Sequence, residues 1–219
     1  MSANHAAFNL IFRFVENYVS PIAGRISSQR HVMAIRDGFI SAMPFMIVGS
    51  FLLVFAYPPF SPDTTWGFAR AWLDMAKQFE GQILTPFDMT MGVMSLYICA
   101  AIAYNLGKHY VKTHQLDPFM CAMLSLMAFL LVAAPKTKGA LPVDSLGGTG
   151  IFTAILVAIY CVEMMRFLKA HNIGIRLPDQ VPPMIKNSFD LLIPVLVVVL
   201  TLYPLSLVIQ SQFDMLIPQ

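Results

Sequence analysis

Five apolar runs, separated by loops that alternate between rich and poor in Lys and Arg, constrain this chain more than any other feature. They cover residues 38–57, 89–107, 119–134, 147–165 and 191–209, and Glu163 is the one formal charge inside them. A helix of about 20 residues crosses the roughly 30 Å hydrocarbon core of a bilayer. The expected fold is therefore all-α and integral to a membrane, with five transmembrane helices. Composition agrees: 57% of residues are hydrophobic and only 12% are charged, against about 25% charged in soluble domains.

The basic residues set an orientation. Arg13, Arg25, Arg30, Arg36, Lys108, Lys112, Arg166, Lys169, Arg176 and Lys186 fall on one side of the alternation, and Arg70, Lys77, Lys136 and Lys138 on the other. The positive-inside bias predicts a cytoplasmic N-terminus. An odd number of spans then puts the C-terminus outside, periplasmic or extracellular. The net charge of +2 is too small to point to a nucleic-acid partner. The lipid bilayer is the partner that composition does imply.

Residues 1–37 read as a cytoplasmic amphipathic segment ahead of a membrane domain spanning 38–219. Phe8, Phe12, Val15, Val19 and Ile22 recur at helical spacing, with Asn9, Arg13, Glu16 and Asn17 on the other faces. That pattern fits an interfacial helix on the membrane surface, or equally a helix packed beneath the bundle. It lacks the continuous apolar stretch of a cleavable signal. After the first span, Pro58, Pro59 and Pro62 stop the helix. Trp66, Ala69, Trp72, Leu73, Ala76 and Phe79 then form a second apolar stripe opposite Arg70, Asp74 and Lys77. Both tryptophans are placed to anchor at headgroup depth; stacking of Trp72 on a sugar face is the sharper alternative.

Few residues carry chemistry. Glu163, beside Arg166, is expected to form a salt bridge near the cytoplasmic surface, and Asp37 beside Arg36 to do the same. With no ionisable group at mid-depth, no proton relay or sodium site is visible. His5, His31, His109, His114 and His171 read as solvated loop residues without metal-ligand spacing. Cys99, Cys121 and Cys161 lie within spans and read as apolar filler. No catalytic set, cofactor site or metal site is expected. Gly147-Gly148-Thr149-Gly150 lacks the Lys of a phosphate loop and reads as a close-packing segment. The stretch Thr90–Leu96 either exposes backbone to a sugar-sized ligand or seats a helix crossing, which makes Gly92 and Ser95 the candidate substrate contacts. Asp190 is expected to compensate the dipole at the start of the fifth span, with Lys186 as its partner.

Three strings carry a family resemblance. They are His31-Val32-Met33-Ala34-Ile35-Arg36-Asp37-Gly38-Phe39 with Met43-Pro44, then Gly92-Val93-Met94-Ser95-Leu96, then Leu177-Pro178-Asp179-Gln180-Val181-Pro182-Pro183 with Ser188-Phe189. In order and in placement relative to the spans, the chain resembles the membrane (IIC) component of bacterial phosphotransferase-system sugar permeases, in the lactose/cellobiose/diacetylchitobiose group. The resemblance makes His31, Arg36, Asp37, Gly38, Leu177, Pro178, Asp179, Pro182 and Pro183 family-motif positions with a structural role. It implies a dimeric protein of the bacterial inner membrane that imports a β-linked disaccharide. Phosphate would come from separate IIA and IIB components, so the chain is no enzyme by itself, and the span cysteines do not match the phosphorylated Cys of IIB.

Permeases of that family look about twice as long, with ten spans in two halves, and this chain resembles the N-terminal scaffold half. The expectation is a truncated or split permease that does not transport alone. The alternative is a membrane assembly or regulatory module that dimerises with another permease.

Overall fold

A computed structural model describes residues 16–17, 20–133, 143–175, 182 and 189–213. The described residues are helical, without strands. In chain order the α-helices are α1 Ser20–Ser27, α2 Arg30–Ala56, α3 Gly67–Phe87, α4 Met94–His114, α5 Pro118–Ala133, α6 Ile151–Ala170 and α7 Leu192–Phe213. Four helical stretches are long and apolar enough to cross a membrane: Arg30–Ala56, Gly67–His114, Gly148–Ala170 and Leu192–Ser211. The third apolar run forms a shorter helix, Pro118–Ala133. At 1.5 Å per residue its 16 residues extend about 24 Å. The carboxylate of Asp117 starts it by accepting from the amides of Phe119 and Met120, at 2.8 and 3.3 Å, as an N-cap does.

Specific contacts fix the direction of each helix. Gly38 abuts Ile102 and Gly49 abuts Met91, so α2 and α4 run antiparallel. Gly107 meets Pro118 and Cys121, which makes α4 and α5 an antiparallel hairpin. Ser95 lies against Gly150 and Tyr110 against Glu163, so α6 runs parallel to α4. Lys169 meets Asp190 and Tyr160 meets Thr201, so α7 returns antiparallel to α6. One end of the bundle thus gathers Arg30, Arg36, Lys108, Lys112, Arg166 and Lys169. This is the clustering that the loop alternation predicts.

Helix α4 is the centre, packing against α2, α5 and α6. Small residues let the helices close in. The buried positions of α2 are all small: Ala34, Gly38, Ala42, Gly49 and Ala56. A Cβ on Gly49 would lie 2.7 Å from Met91 Cβ and 2.9 Å from Thr90 Oγ1. Between apolar helices in lipid, such close van der Waals packing replaces the hydrophobic drive. The outward faces are apolar instead of charged, with Phe51, Phe152 and Leu200 among the exposed residues. In water such a surface would be a large liability; against acyl chains it is matched. Cys99, Cys121 and Cys161 are buried and free, as filler would be.

One expectation changes. The second apolar run is not a separate helix beginning at residue 89. Helix α3, predicted only through Phe79, continues through Pro86 into a π-helical turn, Asp88–Gly92, and the path breaks at Val93 before α4. Proline supplies no N–H to the α-helical ladder, and the hydroxyl of Thr90 takes up the carbonyl of Pro86 at 2.8 Å. Apolar periodicity does not reveal this continuity, because the stripe of α3 is amphipathic and the next run is apolar all round. Phe8, Phe12, Val15 and Val19 lie outside the described residues; Ile22, in the eight-residue α1, is exposed.

Candidate functional site

A polar network at the basic end joins three helices. Its hub is Glu163, three turns into α6 and one turn before Arg166. Glu163 Oε1 accepts from the Tyr110 hydroxyl of α4 at 2.5 Å and meets His31 Nε2 of α2 at 2.9 Å. Its Oε2 pairs with Arg166 at 2.9 Å. Arg166 also donates to the Tyr110 oxygen at 3.2 Å. The Tyr110 side chain is fully buried, and the guanidinium carbons of Arg30 and Arg166 lie 5.2 and 5.1 Å from its ring centroid.

Both carboxylate oxygens are engaged, so Glu163 is a charged junction and not a free base. The Arg166 pair is the one expected from sequence. The His31 and Tyr110 partners are not, and the reading of His31 as a solvated loop histidine is corrected: it is half-buried and packed on Glu163. The missed signal was the phase of α2. One turn of helix carries His31 to Ala34, the first buried position, so His31 starts the inward stripe.

The neighbouring motif residues have simpler roles. Arg36 pairs with Asp37 at 2.8 Å on the exposed side, as expected. Gly38 faces inward, where a Cβ would collide with Ile102. Asp190 stands at the start of α7, but its partner is Lys169 of α6, at 2.5 Å; Lys186 lies outside the described residues. Of the third motif, Leu177, Pro178, Asp179 and Pro183 also lie outside them, and Pro182 is exposed.

The Lys169–Asp190 pair borders a cavity of about 590 Å³ between the ends of α4 and α6 and the start of α7. Gln115 and Asn172 line it with positive φ, 53° and 54°. Each sits just past a helix C-terminus, where the left-handed conformation is the common way to stop.

Gly92 and Ser95 lie at the opposite end. Ser95 is fully buried, and its amide and its hydroxyl both donate to the carbonyl of Leu146, the amide at 3.0 Å. Gly92 is partly exposed in the π-helical turn, and its carbonyl lies against Gly147. Gly150 has no room for a side chain: a Cβ there would strike the Ser145 carbonyl and come within 2.9 Å of Ser95 Oγ. The glycine-rich stretch is thus a packing segment. Trp72 packs among Phe55, Phe60 and Phe68 and donates to the Phe55 carbonyl at 3.2 Å. Nearby, Tyr57 donates to Glu80 at 3.0 Å, and that bond with the adjacent negative charge pushes the phenol pKa up. Among the described residues, no three His, Cys, Asp or Glu side chains converge as a metal site.

Such a bundle, with apolar outward faces and four helical stretches long and apolar enough to cross a membrane, defines a polytopic helical membrane protein. Residues 36–219 match the family model of the phosphotransferase system EIIC component, and the chain belongs to that family. It is similar to the cellobiose-specific EIIC component of Geobacillus stearothermophilus, 34% identical over 214 residues that cover 90% of this chain and 45% of that protein. The lactose-specific EIICB component of Streptococcus mutans is 32% identical over 197 residues, 87% of this chain and 33% of that one. Among solved structures it is similar to the transporter ChbC, the IIC component of the N,N'-diacetylchitobiose-specific phosphotransferase system. There the TM-score is 0.78 and identity 33%, covering 94% of this chain and 49% of ChbC. The chain spans half or less of the length of these relatives.

Proposed function

We propose that these residues form the N-terminal, scaffold half of a phosphotransferase-system permease for a β-linked disaccharide of the cellobiose, chitobiose or lactose type. The observation that carries this reading is the family match over residues 36–219, together with likeness to about half of ChbC. The basic end faces the cytoplasm of a bacterial inner membrane, where IIA and IIB components deliver phosphate; the name EIICB of one relative joins a B component to the IIC part. The scaffold half dimerises in the assembled permease. Of the two substrate-contact candidates, Gly92 keeps an accessible backbone, while the hydroxyl of Ser95 is taken by Leu146.

Expression of these 219 residues in membranes, with the soluble components supplied, tests the reading. Neither uptake nor phosphorylation of cellobiose or chitobiose is expected. Co-expression with the remaining half of a related permease restores both. Phosphorylation by this polypeptide alone would overturn the proposal, as would failure of a folded, co-assembled pair.

A further inference from the structure

Among the described residues, one guanidinium at the basic end is held against a buried ring without a carboxylate partner. Arg30, the first residue of α2, is exposed and takes part in none of the ion pairs among the described residues. It is nevertheless placed, with its Cζ 5.2 Å from the centroid of the buried Tyr110 ring. Arg166 holds the same ring at 5.1 Å. Glu163 compensates Arg166, so the site carries a surplus positive charge on a fixed aromatic platform.

Position and surroundings name the kind of anion that fits. Arg30 opens a helix long and apolar enough to span a membrane, about 12 Å along the axis from the start of the apolar run at Gly38, so it stands on the polar side of the hydrocarbon boundary, toward the headgroups. Val111 and Phe167, the chain neighbours of Tyr110 and Arg166, are exposed apolar side chains. Exposed apolar side chains on the helices that carry Tyr110 and Arg166 suit a lipid with a charged head and acyl tails. A guanidinium fork matches two phosphate oxygens at once.

We propose that Arg30, backed by Arg166 across the Tyr110 ring, binds the phosphate headgroup of an anionic phospholipid. The inference goes beyond the permease reading and needs only that the bundle lies in a bilayer. Arg25, exposed on α1, is the internal control.

Binding to the full chain in detergent is measured by native mass spectrometry and thermal unfolding, with phosphatidylglycerol, phosphatidylcholine or inorganic phosphate added. Phosphatidylglycerol is expected to bind and to raise the unfolding midpoint. Arg30→Gln is expected to weaken that binding roughly fivefold, the effect of one interfacial cation, while Arg25→Gln leaves it unchanged. Should Arg30→Gln fail to fold, Arg30→Lys keeps the charge without the fork and is expected to bind more weakly than the parent. Equal losses in Arg30→Gln and Arg25→Gln would overturn the site, as would parental affinity in Arg30→Lys. A full midpoint shift with phosphatidylcholine or with inorganic phosphate would overturn the anionic-lipid assignment.

Discussion

His31 Nε2 and Glu163 Oε1 lie 2.9 Å apart across 132 positions of sequence, and this contact ties the first turn of α2 to α6. Because Tyr110 shares the same oxygen, three helices meet at one carboxylate.

Replacing that carboxylate is therefore expected to loosen all three. Glu163→Gln removes the charge that His31, Tyr110 and Arg166 share, at a cost of about 2 kcal/mol for charge-assisted hydrogen bonds. Reversible unfolding in detergent measures it. Combined with His31→Ala, the losses should be non-additive by at least about 0.5 kcal/mol; strict additivity would show that the two residues act independently.

Glycine substitutions discriminate the packed end from the outer helix. Gly150→Ala must displace the Ser145 carbonyl and Ser95, and a loss of about 2–3 kcal/mol is expected, as for other overpacked sites. Gly81→Ala, inside α3 with nothing within 4 Å of its added carbon, should gain up to about 1 kcal/mol from helix propensity. Similar effects at the two positions would contradict the packing described.

The Lys169–Asp190 pair predicts a charge-swap result. Both side chains are partly exposed, so the pair contributes no more than about 1 kcal/mol. Lys169→Asp and Asp190→Lys should each lower the unfolding midpoint. The double variant should recover most of the loss, and no recovery would mean that the two charges are not partners.

Tyr57 should ionise late. Its hydroxyl donates to Glu80, and the adjacent negative charge opposes a tyrosinate, so the phenol pKa is raised. The bond's stabilisation is present below the usual tyrosine pKa of about 10 and is lost as pH rises through the higher folded value. Ultraviolet titration of the parent and Glu80→Gln reads this directly. The variant should gain phenolate absorbance at lower pH than the parent in the alkaline limb, with unchanged curves refuting the contact.

The apolar helices α2, α4, α5, α6 and α7 and their alternating direction were legible because hydrophobic run length and basic alternation are local properties of the chain, whereas the continuation of α3 was not. The motif around His31 was legible as a string, but its physical role was not. A histidine at a helix start looks solvated until the partner 132 positions away is brought beside it. Asp190 illustrates the same limit: sequence offers Lys186 one turn earlier, whereas the fold supplies Lys169 from another helix. The π-helical turn at Asp88–Gly92 escaped for a different reason. Its backbone register depends on Pro86, Thr90 and the packing of Gly92 against Gly147, none of which alters hydropathy.

The two ends of the bundle are closed by different forces. Charges converge on Glu163 at one end, while at the other Ser95 and Gly150 meet the backbone around Leu146 at distances only small residues permit. Dissolved ions screen the first only in part, because its pairs are close and half-buried, and leave the second untouched. Rising salt should accordingly act on this molecule as a one-sided reagent, softening the basic end while the glycine-rich end keeps its grip.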